Sequence, residues 1–158
     1  MAKIFEKERL RASQLRTVAE RRFDDADYLR KSGSNARANG VFYLGGFVIE
    51  CLLKARLLEQ YPNIGKVRDP SILAGQERVV WNLLYRSHEL DAILSCLPDL
   101  QEKMLAAGTA EGADAFRKLN EICGEWTIFA RYSPRAETMA SAARFLAEVK
   151  ELRSWLKH

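Results

Sequence analysis

Apolar residues recur at three- and four-residue intervals along most of this chain. Nowhere do they alternate with polar residues long enough to indicate a sheet strand. From about Phe5 to Lys31, the positions Leu10, Leu15, Val18, Ala19, Phe23, Ala26 and Leu29 form one stripe on an otherwise charged rod, which predicts a helix packed on one side. Ser32-Gly33-Ser34 ends it, because glycine accepts the left-handed conformation that closes a helix, and Ser34 or Asn35 can cap the next one. That second helix, about Asn35 to Gln60, has apolar residues around most of its circumference, so it is expected at the centre with neighbours on several sides. Gly40, Gly45 and Gly46 each cost it about 1 kcal/mol of helix propensity relative to alanine, a cost that makes sense where another helix must come close.

Tyr61-Pro62-Asn63 stops the second helix, and Gly65, Pro70 and Gly75 mark residues 62–76 as a connecting loop. A short helical segment follows near Glu77–Tyr85. A third main helix opens around His88, with a kink or restart at Pro98 before Ala107. A fourth runs from about Ala113 to Ala130, and Ser133-Pro134 supplies a cap and first residue for the fifth. Trp81, Trp126 and Trp155 fall at core spacings. The expectation is an all-α bundle of four to five main helices, mostly antiparallel, in a single domain spanning residues 1–158.

Composition narrows the class. With 47% hydrophobic and 29% charged residues, the chain is too apolar for disorder and long enough to bury a core without staples. Cys51, Cys96 and Cys123 are widely separated among apolar neighbours and form no metal or disulfide pattern, so they read as buried hydrophobes in a reducing cytoplasm. Residues 1–32 contain no leader-like apolar run, and Val41–Leu53 is too short to span a bilayer and is interrupted by Glu50. A net charge of +4 permits an acidic partner such as RNA or a nucleotide, though a modest excess of this kind also simply keeps a protein dissolved. Phosphate-loop, dinucleotide, serine-hydrolase and zinc-protease motifs are absent, and no metal or cofactor is expected.

Three places carry candidate chemistry. Glu50 interrupts the most apolar helix and needs compensation; Lys54, four residues on, makes either a structural ion pair or part of a ligand cleft. Arg131-Tyr132-Ser133, with Arg135 close behind, lies where the last two helices are expected to meet. There an arginine fork can grip phosphate or cap a helix C-terminus. His88, in Ser87-His88-Glu89-Leu90, reads as a capping or packing group or, alternatively, a proton-transfer group.

Taken in order, three stretches resemble the HEPN family (higher eukaryotes and prokaryotes nucleotide-binding domain). These are Arg22-x-x-Asp25-Ala26-x-x-Leu29 followed by Gly33; Tyr43 through Ala55, with its Glu50-x-x-Leu53-Lys54-Ala55 end; and His88-Glu89-Leu90 followed by Trp126 and Arg131-Tyr132-Ser133. The resemblance covers about residues 20 to 157. It implies a helical bundle, commonly a homodimer with its polar site near the subunit interface. In many members it implies metal-independent RNA cleavage by an Arg-x(4–6)-His motif. In others it implies nucleotide or RNA binding without cleavage, or pairing with a small nucleotidyltransferase in toxin–antitoxin and phage-defence systems.

Arg131 matches the arginine of that motif and Glu50 the second-helix acid. The histidine is missing: Ala136, Glu137 and Thr138 stand in its place, and counting from Arg135 gives Ala140, Ser141 and Ala142. The leading expectation is therefore binding of nucleotide or RNA phosphate, or of a nucleotidyltransferase partner, without cleavage. Glu50, Lys54, Arg131, Tyr132 and Arg135 are the candidate ligand contacts. A divergent ribonuclease using Arg131, Glu50 and His88 is the first alternative, and a purely structural dimerisation module the second.

Overall fold

The computed structural model describes residues 9–106, 108–134 and 137–157. Among them are seven α-helices and no strand: α1 Ala12–Lys31, α2 Ala38–Gln60, α3 Gly75–Tyr85, α4 Leu90–Ser95, α5 Pro98–Ala106, α6 Ala110–Glu125 and α7 Met139–Lys157. The chain is all-α, and none of the described helices is long and apolar enough to cross a membrane. The first helix, expected from about Phe5, starts at Ala12 with residues 9–11 outside it, and its expected part before residue 9 lies outside the described residues.

Helix α2 is the axis of the bundle. Ile49, Leu52, Leu53 and Leu57 are fully buried, and burying a side chain of this kind contributes about 1.5–3 kcal/mol. Gly33 takes the left-handed conformation at φ 66° and turns the chain back from α1. Leu29 lies against Gly40, and at the far end Arg16 pairs with Glu59 at 2.6 Å, so α1 and α2 run antiparallel. Helix α7 runs parallel to α2 on another side. Asn35 Oδ1 accepts from Met139 N–H at 2.7 Å, Phe145 packs on Gly45, and Arg56 donates from Nε to the Leu156 carbonyl at 3.0 Å. Arg56 Nη2 also reaches the Trp155 carbonyl at 3.2 Å, so an arginine of α2 satisfies carbonyls left open in the last turn of α7.

Several boundaries differ from the periodicity, each for a tertiary reason. The expected fourth helix stops at Glu125 rather than Ala130: Trp126 turns extended (ψ 134°), lays its indole on Gly46 and donates Nε1–H to the Phe42 carbonyl at 3.1 Å. Residues Ile128–Tyr132 continue as a 3-10 turn. The last helix begins at Met139, not after Ser133-Pro134, because Thr138 Oγ1 accepts from Ser141 N–H at 3.1 Å and supplies the cap. Of Ser34 and Asn35, the alternative caps expected for α2, Asn35 caps α7 instead, and residues 35–37 form a 3-10 turn ahead of α2. Pro98 does restart a helix, as expected.

The glycines of α2 are therefore sites of close approach. A Cβ on Gly46 would overlap the Trp126 indole, whereas one on Gly124 would meet nothing within 4 Å. Gly46→Ala should lower stability by about 1–3 kcal/mol through overpacking, and Gly124→Ala should raise it by up to about 1 kcal/mol through helix propensity. Urea midpoints of the two variants check both signs.

Candidate functional site: a basic cleft over Glu50

Glu50 is only 2% exposed, on the face of α2 turned toward the segment that joins α3 to α4. An isolated carboxylate there would carry a large desolvation penalty, and two groups offset it. Lys54, one turn on and 6% exposed, donates to Glu50 Oε1 at 2.8 Å. His88 Nδ1 lies 3.0 Å from both Glu50 oxygens. Lys54 Nζ also donates to the Ser87 carbonyl at 2.8 Å and so pins the residue next to His88 onto α2. Ser87 Oγ accepts from Glu89 N–H at 3.1 Å and shapes the turn into α4.

The geometry assigns the histidine's proton. A carboxylate held by a lysine only accepts, so Nδ1 carries the hydrogen and, in the neutral ring, Nε2 keeps its lone pair. The His88 side chain is 44% exposed, so the ring bridges a buried carboxylate and solvent.

Above this trio opens a cleft of about 1200 Å³. Its floor is α2 (Phe47, Glu50, Cys51, Lys54). Its walls are residues 9–15 at the start of α1, Val67 and Arg68 after α2, and Trp81 to Arg86 on and just after α3. Arg9, Arg11, Arg68 and Arg86 all line it and are exposed. Among the described residues no carboxylate pairs with any of these four. Arg16, Arg22, Arg30, Arg117 and Arg153 elsewhere all hold carboxylates. Arg86 is placed by stacking its guanidinium 5.0 Å over the Trp81 ring, whose Nε1–H is tied to the Val67 carbonyl at 3.2 Å. Cys51 also borders the cleft, but burial, and then the Glu50 charge, push its thiol up to about 12. It is therefore not a nucleophile near neutral pH.

The residues singled out in the sequence divide into two groups. Glu50, Lys54 and His88 come together. Tyr132 lies elsewhere, 65% exposed on the 3-10 turn that docks on the N-terminal part of α2. Just after that turn, the Ser133 carbonyl accepts from Asn39 Nδ2 at 3.3 Å. Asn39 is eleven residues before Glu50, or about 16 Å along the helix axis. The Arg131 backbone belongs to the same turn, whereas the Arg131 side chain and all of Arg135 lie outside the described residues. A second cavity of about 540 Å³ adjoins this turn, with Glu121, Glu125, Glu137 and Glu148 in its lining. The described residues contain no group of His, Cys, Asp and Glu able to hold a metal ion.

The four cleft arginines had no local signature. They sit in three separate stretches, at 9–11, 68 and 86, and only the packing of α1 and α3 on α2 assembles them. No protein-family model, curated protein or solved structure matches the chain.

The buried pair has an energetic consequence. Lys54→Met strands Glu50 with His88 alone and should destabilise by about 3–5 kcal/mol. Combining it with Glu50→Met should cost less than the sum of the two single changes. A double-mutant cycle of chemical denaturation reads this coupling, and additive costs would contradict it.

Proposed function

We propose that the chain is a HEPN-like domain that binds the phosphates of a nucleotide or RNA strand in the cleft over Glu50. The observation that carries the reading is the gathering of Arg9, Arg11, Arg68 and Arg86, without carboxylate partners among the described residues, around one cavity. Arginine forks match phosphate oxygens in pairs, and unneutralised cations that face one another are most readily satisfied by a polyanion. The net charge of +4 agrees in sign. Arg131 and Arg135, candidates from the sequence, stay in the proposal as further phosphate contacts. A nucleotidyltransferase partner and a homodimer stay in it as assemblies implied by the resemblance.

A second reading gains support from the Glu50–His88 contact. A histidine oriented through Nδ1 by a buried carboxylate, with Nε2 outward in an arginine-rich cleft, has the parts for metal-independent RNA cleavage. In that reaction Nε2 accepts the 2′-hydroxyl proton as the 2′ oxygen bonds to phosphorus. The bond from phosphorus to the 5′ oxygen breaks, and that oxygen takes a proton from solvent. The products are a 2′,3′-cyclic phosphate and a 5′-hydroxyl.

One experiment separates the readings: labelled single-stranded RNA and a nucleoside triphosphate are incubated with the protein in EDTA, and binding and cleavage are scored together. The expected result is salt-sensitive binding. Arg68→Ala and Arg86→Ala should each weaken it and reduce the salt slope by about 0.7 for a single strand. Cleavage that disappears in His88→Ala would favour the second reading. If neither ligand binds at any salt concentration, the cleft assignment fails and a purely structural dimerisation role takes its place.

A further inference from the structure

The second cavity, about 540 Å³, opens where α6 and α7 meet the start of α2, and its charge is opposite in sign to that of the arginine cleft. Its apolar lining includes Phe42 of α2, Ile122 of α6 and Phe145 of α7. Phe129 lines it from the 3-10 turn and is 71% exposed. Glu121, Glu125, Glu137 and Glu148 surround this apolar lining. Arg117 pairs with Glu121 at 2.7 Å, whereas among the described residues no cation pairs with the other three. Two of these carboxylates stand against electrostatic preference. Glu125 is the last residue of α6, where open carbonyls already carry partial negative charge, and the last turn holds no basic residue. Glu121 lies one turn earlier, a spacing at which like charges repel.

A cationic occupant relieves both costs, and a polyanion is repelled. The carboxylates do not converge on one point, since no group among the described residues can hold a metal ion. They border an apolar surface instead, which fits several cations carried on one chain with apolar side chains between them. An exposed aromatic beside a cavity is also the kind of residue that anchors a protein partner. We propose that this cavity docks a basic peptide segment of a partner protein. Its apolar residues seat against Phe129 and Phe145, and its flanking arginines or lysines meet Glu125, Glu137 and Glu148. The inference does not rest on the phosphate-binding reading of the other cleft.

The test follows the anisotropy of a fluorescein-labelled peptide, two leucines between two pairs of arginines, titrated with the full chain at several salt concentrations. Binding should weaken as salt rises. Glu125→Gln and Glu148→Gln should each lower affinity about two- to fivefold, and Phe129→Ala about fivefold or more. Glu125 and Phe129 are exposed, so their variants should melt like the parent and separate lost binding from lost folding. Arg68→Ala, in the other cleft, should bind the peptide as the parent does. A peptide with serines in place of the leucines should bind more weakly. If it binds as tightly, or if Phe129→Ala binds like the parent, only diffuse attraction to an acidic surface is present and the inference is overturned. Absence of binding at low salt overturns it as well. If the parent sediments as a dimer that Phe129→Ala dissociates, the occupant is a second copy of this chain and the assignment to a partner peptide falls.

Discussion

A carboxylate in the middle of the bundle's most buried helix imposes the tightest constraint on this structure. Glu50 needs neighbours that neutralise it, and Lys54 alone does not use up its accepting capacity. His88 completes the shell, so the turn between α3 and α4 must lie against α2 at that one level, where Lys54 also grips the Ser87 carbonyl. The position of α3, and with it one wall of the cleft, follows from how this charge is accommodated. A pair of leucines would pack with less difficulty, because the desolvation of a buried ion pair offsets much of its mutual attraction.

The same helix meets its other neighbours through the absence of side chains. Gly45 and Gly46 admit Phe145 and Trp126 to distances a β-carbon would forbid, and Gly40 lets Leu29 pack closely. Trp126 shows how one such contact redirects the chain. To seat its indole on Gly46 the backbone leaves helical geometry four residues before the apolar pattern ends, and the junction becomes a 3-10 turn. Specific packing thus outweighs the few tenths of a kcal/mol per residue by which helix propensities differ.

Polarity is then distributed unevenly. Away from the cleft, several arginines and lysines meet carboxylates or helix-end carbonyls, as in Arg16 with Glu59 and Arg56 with α7. Around the cleft Lys54 holds Glu50, but among the described residues no carboxylate pairs with Arg9, Arg11, Arg68 or Arg86. Exposed ion pairs are worth little individually, so the pattern does not bear on stability. Its weight lies in the electrostatic field, because unpaired guanidinium groups on several walls of one concavity sum their potential there.

The helical class, the central place of α2, the break at Gly33, the restart at Pro98 and the Glu50–Lys54 pair were legible in the sequence, since each rests on spacings within one turn or on local backbone chemistry. The junction after α6, the true start of α7 and the exchange of Asn35 from capping α2 to capping α7 were not, because each is decided by a contact across many residues. The candidate site divides the same way. Glu50 announced itself as a charge among apolar residues. His88 became its partner, Tyr132 was set apart from it and Arg9, Arg11, Arg68 and Arg86 were gathered above it only by tertiary packing. Periodicity records which face of a helix is buried. It does not record which distant cations that burial brings around the same cavity.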